Sequence, residues 1–207
     1  MNRTWHAAFV VVFFCAAALA ADFTWDWHSQ RAIGRDDPSV GTTSELTEPE
    51  RNALIDAIAA RLQKPMTEAG YDAGRVREVA SVTHIRFADL GGEGKPLVLA
   101  TSPGLEGGCD AMSNCPFWIF RYEGKRYVSL LDTVAATYTI QPTSSHGFSD
   151  LVLLRHISAQ ESHLTLYRYG EGKYRDAGCY TAIWPLPQNG EVQEPAITPC
   201  ASGKAGE

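Results

Sequence analysis

The chain has 207 residues with 18 basic and 24 acidic side chains, which gives a formal net charge of −6, and 44% of its residues are hydrophobic. An acidic chain of this kind lacks the basic footprint of proteins that bind nucleic acids or anionic lipid surfaces. We therefore expect no nucleic-acid partner.

The N-terminal segment has the pattern of a secretory signal peptide. Arg3 precedes an apolar run of about 14 residues, from 7 to 20, and the small residues around Ala20 and Ala21 form a cleavage site. The run is too short for a membrane-spanning helix, which needs roughly 20 apolar residues. We therefore predict a signal peptide at 1–21, a periplasmic or extracellular location through its cleavage, and no membrane insertion of the remaining chain.

The composition beyond this segment changes along the chain. Residues 22–46 show no sustained hydrophobic period and are predicted to form an extended arm. A single domain is expected over 47–185, because a chain of this length is typical of one hydrophobic core. The Pro-rich segment 186–207 is predicted to be a C-terminal tail.

One segment, 47–63, has the signals of an amphipathic helix. Thr47 and Glu50 have the spacing of a capping box at its start, and the Lys64-Pro65 pair is expected to end it. The residues predicted to lie on one stripe are Leu54, Ala57, Ile58, Arg61 and Leu62. We interpret this stripe as a face packed on the body of the domain.

The cysteines beyond the signal are even in number, as expected of disulfides in an oxidising compartment. They are Cys109, Cys115, Cys179 and Cys200. More than one connectivity is open to them, but the spacing favours Cys109–Cys115 and Cys179–Cys200, the second of which would pin the tail to the domain. A zinc site would need CxxC-type pairs, which this chain lacks.

After residue 80, short segments rich in β-branched and aromatic residues alternate with turn residues, which predicts a mainly β fold.

These predicted strands contain a sequence repeat. Phe120-Arg121-Tyr122 matches Tyr167-Arg168-Tyr169, and Tyr127 matches Tyr174, all at an offset of 47 residues. Units of this kind resemble blades of a β-propeller. We predict two propeller-blade-like antiparallel β repeats packed as one small sandwich-like unit, with the N-terminal helix covering an edge.

The stretch FADLGGEGKPLVLAT, residues 87–101, contains a loop similar to the DxDGDGxxD/E loop of FG-GAP and VCBS-type secreted repeat proteins. The chain from about 80 to 185 resembles uncharacterised exported bacterial proteins in which this loop precedes a WxFR hairpin, here Trp118 to Arg121. The resemblance implies a bacterial exported protein and calcium held by oxygen ligands at the first, third, fifth and ninth loop positions.

This loop departs from the family pattern at two of those positions. Asp89 and Glu93 stand at the first and fifth, but Gly91 and Leu97 offer no side-chain oxygen at the third and ninth. Calcium usually requires several carboxylates. We interpret the loop as a turn in which Asp89 accepts hydrogen bonds from the backbone, with a weak calcium site as the alternative and no other cofactor.

Three other patterns offer candidate sites. The stretch SSHGFSD at 144–150 is either a hydrolase constellation around His146 or a turn, and neither a GxSxG nor an HExxH motif supports the hydrolase. His156 and His163 are either a metal pair or surface histidines. The strand aromatics are either core residues or a carbohydrate- or peptide-binding platform: Trp118, Phe120, Tyr122, Tyr127, Tyr167, Tyr169 and Tyr174.

No catalytic residue is predicted from these patterns. The sequence favours an exported non-catalytic module that binds a protein, a peptide or an envelope glycan through a face of the β unit. The alternative is an envelope hydrolase or hydrolase inhibitor with an unrecognised site.

Overall fold

The computed structural model describes residues 25–27, 29–34, 36–92, 94, 96–185 and 193–200. The predicted signal peptide at 1–21 and most of the predicted tail lie outside the described residues. The elements are α1 (Glu48–Glu68), α2 (Ala73–Val82), β1 (His84–Ala88), β2 (Leu97–Thr101), β3 (Cys115–Glu123), β4 (Arg126–Ala135), β5 (Thr137–Ser145), β6 (Phe148–His156), β7 (Glu161–Gly170), β8 (Lys173–Ile183) and β9 (Ala196–Pro199).

The predicted mainly β fold is confirmed. The strands form two antiparallel sheets, one in the order β1-β2-β3-β4 and one in the order β5-β6-β7-β8-β9. Each strand pairs with its neighbour in the chain, so both sheets are meanders built from consecutive hairpins. The two sheets stack as a small sandwich, with helices on one side.

Strand alternation divides the buried residues into layers. On β3, Trp118 and Phe120 pack against the helices, whereas Phe117 and Ile119 pack against the second sheet. The outer face of the second sheet is covered by Trp25 from the arm. The first sheet is therefore buried on both faces. The prediction that the helix covers a sheet edge is wrong, because α1 lies on a face.

Helix α1 begins as predicted but ends later. The Glu50 carboxylate accepts hydrogen bonds from the Thr47 N–H at 3.0 Å and the Thr47 hydroxyl at 2.7 Å. The helix then continues through Pro65 to Glu68. Proline costs the hydrogen bond to the carbonyl four residues earlier, but Met66 is buried in the core beyond it, and this contact offsets the loss.

The sequence prediction missed the second helix, α2. Asp72 caps its first turn by accepting a hydrogen bond from the Arg75 N–H at 2.9 Å. Its buried face consists of Val76, Val79 and Ala80. The helix spans only ten residues, which is shorter than the window of 11–18 residues over which a helical period is recognised.

The sequence repeat corresponds to two structurally equivalent hairpins, β3–β4 and β7–β8. Each has a register irregularity, between Ile119 and Phe120 in one and between Leu166 and Tyr167 in the other, again 47 residues apart. Each also carries a tyrosine pair beside its turn, Tyr122 with Tyr127 and Tyr169 with Tyr174.

The two hairpins stack in the same sense. Tyr127 packs in the core beneath the helices, whereas its equivalent, Tyr174, packs in the core between the sheets. The same face of each unit therefore points towards the helices, as successive blades of a propeller would stack. The helices cap one end of this stack, and the arm caps the other.

The N-terminal arm also pairs with the first strand of each sheet. The backbone of Arg31 exchanges hydrogen bonds of 2.7 and 2.9 Å with Tyr138 of β5. Further along, Ile85 of β1 donates to the Pro38 carbonyl at 2.9 Å. Asp37 forms two hydrogen bonds with the Arg86 guanidinium, at 2.9 and 3.0 Å. This pairing covers strand edges that would otherwise be open.

Both disulfides that the spacing favours, Cys109–Cys115 and Cys179–Cys200, are present. The second holds the short strand β9 against β8, so this part of the tail extends the second sheet. None of the helices in the described part of the chain is long and apolar enough to cross a membrane.

Candidate ligand-binding groove

An apolar hollow lies where α1 ends above the first sheet. This cavity of about 520 Å³, which we call the α1 groove, has the size of a site for a small molecule or a peptide side chain. One wall is the end of α1, and a second is the connection between β2 and β3, residues 102–114, which contains Cys109 of the Cys109–Cys115 disulfide and which we call the disulfide loop. The floor is formed by β3 and β4. Residues from these walls include Leu62, Met66, Leu105, Pro116, Trp118 and Val134.

Two of the lining residues expose large apolar side chains. Leu105 of the disulfide loop is 76% exposed, and Val134 of β4 is 39% exposed. An isolated exposed apolar residue needs no explanation, but two in one concave surface are typical of a binding site. The sequence prediction missed both. The available signal was a leucine in an otherwise Gly-rich, polar loop.

The polar part of the groove is centred on Asp132. Its Oδ1 accepts a hydrogen bond of 2.9 Å from the Trp118 indole, and its Oδ2 lies 3.5 Å from the Arg61 guanidinium. The indole N–H is thereby satisfied inside the core. Arg61 stays partly exposed at the rim, so the groove combines an apolar interior with one polar margin.

The disulfide loop is held as a rigid wall by Asp110. Its carboxylate accepts hydrogen bonds of 2.9 Å from the backbone of Met112 and Asn114, and of 2.8 Å from the Asn114 side chain. These bonds, led by that of the Asn114 side chain, lower the pKa of Asp110 below its ordinary value. On the opposite side, Arg75 of α2 forms an ion pair with Glu106.

Two further hollows lie along β4, next to strands of the second sheet. One, of about 330 Å³, runs from Ser129 to Asp132 on β4 towards Lys173 and Arg175 on β8. The other, of about 210 Å³, lies beside Thr133 and is lined by Arg155 and His163 among others. Tyr167 lines both, and burial raises the pKa of its phenol.

A fourth hollow, of about 500 Å³, separates the arm from the disulfide loop. It is lined by His84, whose ring Nδ1 lies 3.2 Å from the Asp37 carbonyl oxygen, and by Ser102, which is buried. Thr101 also lines it, but its hydroxyl already donates to the Pro116 carbonyl at 3.0 Å. This hollow is more polar in character than the α1 groove.

The loop that begins at Asp89, for which a weak calcium site is the alternative interpretation, contacts the turn at Gly147. Asp89 accepts a hydrogen bond from the Gly91 N–H at 3.1 Å, and the Gly92 N–H donates to the Gly147 carbonyl at 3.1 Å. A side chain at Gly91 would overlap that carbonyl oxygen. Glu93 lies outside the described residues. Within the part of the chain that the structure describes, no three potential metal-ligating side chains come together.

The SSHGFSD stretch forms the hairpin turn between β5 and β6. His146 and Gly147 are its central residues, with positive φ angles of 51° and 81°. Asp150, the carboxylate of this stretch, has other partners. It accepts a hydrogen bond of 2.8 Å from the Thr143 hydroxyl and lies 3.6 Å from the Arg168 guanidinium. These contacts do not align Asp150 with His146 as a catalytic pair.

The two histidines of the proposed metal pair lie on opposite faces of the second sheet. In the pairing of β6 with β7, His156 lies opposite Ser162 and His163 lies opposite Arg155. The two histidines are therefore offset by one residue, which puts their side chains on opposite faces. Each ring has another neighbour: Ser162 at 3.2 Å from His156, and Glu161 at 3.4 Å from His163. They therefore cannot chelate one ion together.

Five of the seven strand aromatics are buried in the core, and Tyr122 and Tyr167 are partly buried against it. The alternation that places Trp118 and Phe120 on one face of β3 is present, but their rings are only 2% and 1% exposed. Tyr127, Tyr169 and Tyr174 are also buried. The interpretation as an exposed aromatic binding platform is therefore not supported by their positions.

Comparison of the chain with known protein families, curated proteins and solved structures finds no match.

Proposed function

We propose that this protein is an exported, non-catalytic module whose α1 groove binds an apolar side chain of a protein or peptide. The observation that carries the proposal is a concave apolar surface of suitable size with exposed Leu105 and Val134 on its walls. Specific polar groups at one margin, Arg61 and Asp132, are typical of sites that orient a ligand. The two disulfides are compatible with the oxidising compartment that export implies.

A protein or peptide ligand is favoured over an envelope glycan. Sugars are commonly bound by stacking on exposed aromatic rings, and the groove's Trp118 is almost completely buried under the helix. An apolar interior instead matches the aliphatic or aromatic side chain of a peptide. The resemblance to secreted repeat proteins supports the same class of function.

A binding module is also favoured over the alternative hydrolase. Acid–base or nucleophilic catalysis needs a base within hydrogen-bonding reach of a group that it activates. Asp150, the carboxylate of the SSHGFSD stretch, is engaged by Thr143 and Arg168.

A selection experiment tests the proposal. A library of random peptides displayed on phage is selected on the purified full exported chain, and the enriched peptides are measured against two arginine variants. Val134→Arg fills the groove with charge, and Val82→Arg is the matched control, because Val82 is similarly exposed but lies at the end of α2. We expect apolar peptides to be enriched, to lose affinity for Val134→Arg and to keep it for Val82→Arg.

Two outcomes would contradict the proposal. One is the absence of any enriched peptide, and the other is enriched peptides that bind Val134→Arg and Leu105→Arg as tightly as the unaltered chain. Both substituted side chains are exposed, so loss of folding is not expected, and circular dichroism checks it. Turnover of ester or glycoside probes that disappears in His146→Ala would favour the hydrolase instead.

A further inference from the structure

We infer that the ligand binds as an added β-strand: an extended peptide of alternating apolar and acidic residues pairs with the outer edge of β4. This inference rests on the proposed binding function and specifies its mode and its ligand chemistry. In such recognition, backbone hydrogen bonds provide affinity and pockets for alternate side chains provide specificity.

The first observation is that β4 is an edge strand. In the first sheet it pairs with β3 on one side, and among the described residues no strand or isolated bridge pairs with its other side. The edge strands β1 and β5 are treated differently, because the arm pairs with both of them. The four-residue β9 is also an edge strand without an outer partner, but only β4 borders the α1 groove. Natural proteins usually cover or disrupt open edges, so the open edge of β4 is a candidate for a partner.

The second observation is that part of this edge is regular. A register irregularity lies opposite Ile119 and Phe120, so the β4 strand is disturbed near Leu130. From Leu131 to Ala135 the pairing with β3 is continuous. This stretch is long enough to align a short extended peptide, and the irregularity before it limits how far a second strand can extend.

The third observation is that hollows lie on both sides of this regular stretch. Asp132 and Val134 line the α1 groove, whereas the hydroxyl of Thr133 points to the second sheet, where it lies 3.1 Å from the Tyr167 hydroxyl. Side chains of an added strand also alternate between the two faces of a sheet. One set of the peptide's alternate side chains would enter the apolar α1 groove, and the other set would face the two hollows next to the second sheet.

The fourth observation is the charge of those hollows. Among the charged side chains that line them, Arg61 pairs with Asp132 and Arg175 pairs with Glu171. Arg155 and Lys173 remain against the single carboxylate of Asp176. His163 lines the same region. This local excess of positive charge contrasts with the chain's net charge of −6. Charge complementarity therefore favours acidic residues in the second set of peptide positions.

A synthetic peptide provides a direct test. The probe acetyl-Thr-Leu-Asp-Leu-Thr-Val-amide places its apolar residues on one face and its aspartate on the other when extended. Backbone N-methyl groups are introduced at the odd positions in one analogue and at the even positions in another. Because only one of these sets points its N–H groups at β4, we expect about a tenfold loss of affinity for one analogue and less than about a twofold loss for the other.

A charge exchange tests the second set of positions. We expect Arg155→Glu to weaken binding of the probe by about tenfold, and a probe with lysine in place of aspartate to recover most of that loss. Lys64→Glu, on the exposed surface of α1, is the control and should leave the affinity within about twofold. Isothermal titration calorimetry measures all combinations.

Several results would overturn the inference. If the probe does not bind, or if both N-methylated analogues bind alike, strand addition is wrong. The selection on random peptides presupposes no extended backbone, so the proposed function could still succeed there. If sedimentation velocity instead shows a dimer that Val134→Arg dissociates, the edge is occupied by a second copy of the chain.

Discussion

Asn114 pairs with the backbone of His156 as a neighbouring strand would. Its Oδ1 accepts a hydrogen bond of 2.7 Å from the His156 N–H, and its Nδ2 donates one of 2.8 Å to the His156 carbonyl. The residue is only 1% exposed. This amide therefore joins the disulfide loop, one wall of the α1 groove, to the end of β6 in the second sheet.

Replacing Asn114 with alanine should destabilise the protein by about 2–3 kcal/mol, because the substitution leaves buried backbone groups of His156 without their partner. Urea unfolding measures the change. Asn52→Ala, at an exposed position in α1, is the matched control and should leave stability within about 0.5 kcal/mol. Equal stability of the two variants would mean that the pairing contributes nothing.

The hydrogen bonds to Asp110 make the stability of the loop depend on pH. Because they lower the pKa of this carboxyl in the folded protein, its contribution is fully present above the unfolded-state value of about 3.9 and is lost as the pH falls through the folded-state pKa. The stability difference between the unaltered protein and Asp110→Asn should therefore shrink on acidification below about pH 4. Urea unfolding across this range measures it, and a constant difference would contradict the expectation.

Gly91 is required by the contact between two turns. Gly91→Ala should destabilise by about 3 kcal/mol or more, since it combines a positive φ of 93° with overlap of the Gly147 carbonyl. Gly94→Ala is a matched control in the same loop. Its φ is also positive, at 109°, but no atom lies near the added methyl group, so a cost of about 1 kcal/mol is expected. Comparing the thermal unfolding of Gly91→Ala with that of Gly94→Ala separates the cost of the steric overlap from the cost of the backbone strain.

Calcium should not stabilise the protein. The Asp89 carboxylate already accepts a backbone hydrogen bond, and the third and ninth loop positions provide no side-chain oxygen. We expect millimolar calcium or an excess of chelator to shift the Tm by less than about 1 °C. A saturable heat of calcium binding that disappears in Asp89→Ala would contradict this prediction.

The Asp37–Arg86 pair anchors the arm to β1. Asp37→Ala should destabilise by about 1–2 kcal/mol, because the pair is partly buried and Arg86 would lose both hydrogen bonds. Native-state hydrogen exchange should show faster exchange of the Ile85 amide, which bonds to the arm. Asp36→Ala, at the exposed neighbouring position, should change neither property. Unaltered exchange in both variants would mean that the pair does not hold the arm.

Local patterns were sufficient for several elements. The Thr47 and Glu50 pair marks the start of α1 because a capping motif depends only on neighbouring residues. The repeated tyrosines locate the two hairpins because each tyrosine pair lies beside its own turn. The disulfides follow from spacing within short loops. The end of α1 was predicted wrongly, because burial of Met66 against distant strands outweighed the local cost of Pro65.

The sequence by itself determined the mainly β character and the repeat and favoured the two disulfide pairings, since strand patterns, matched motifs and short cysteine spacings are local properties of the chain. Only the tertiary structure decided which face of the first sheet meets the helices, which strand edges the arm covers, and that Leu105 and Val134 line one groove. These features depend on how the two sheets and α1 stack. Such stacking brings together residues far apart in sequence, and no local pattern encodes it.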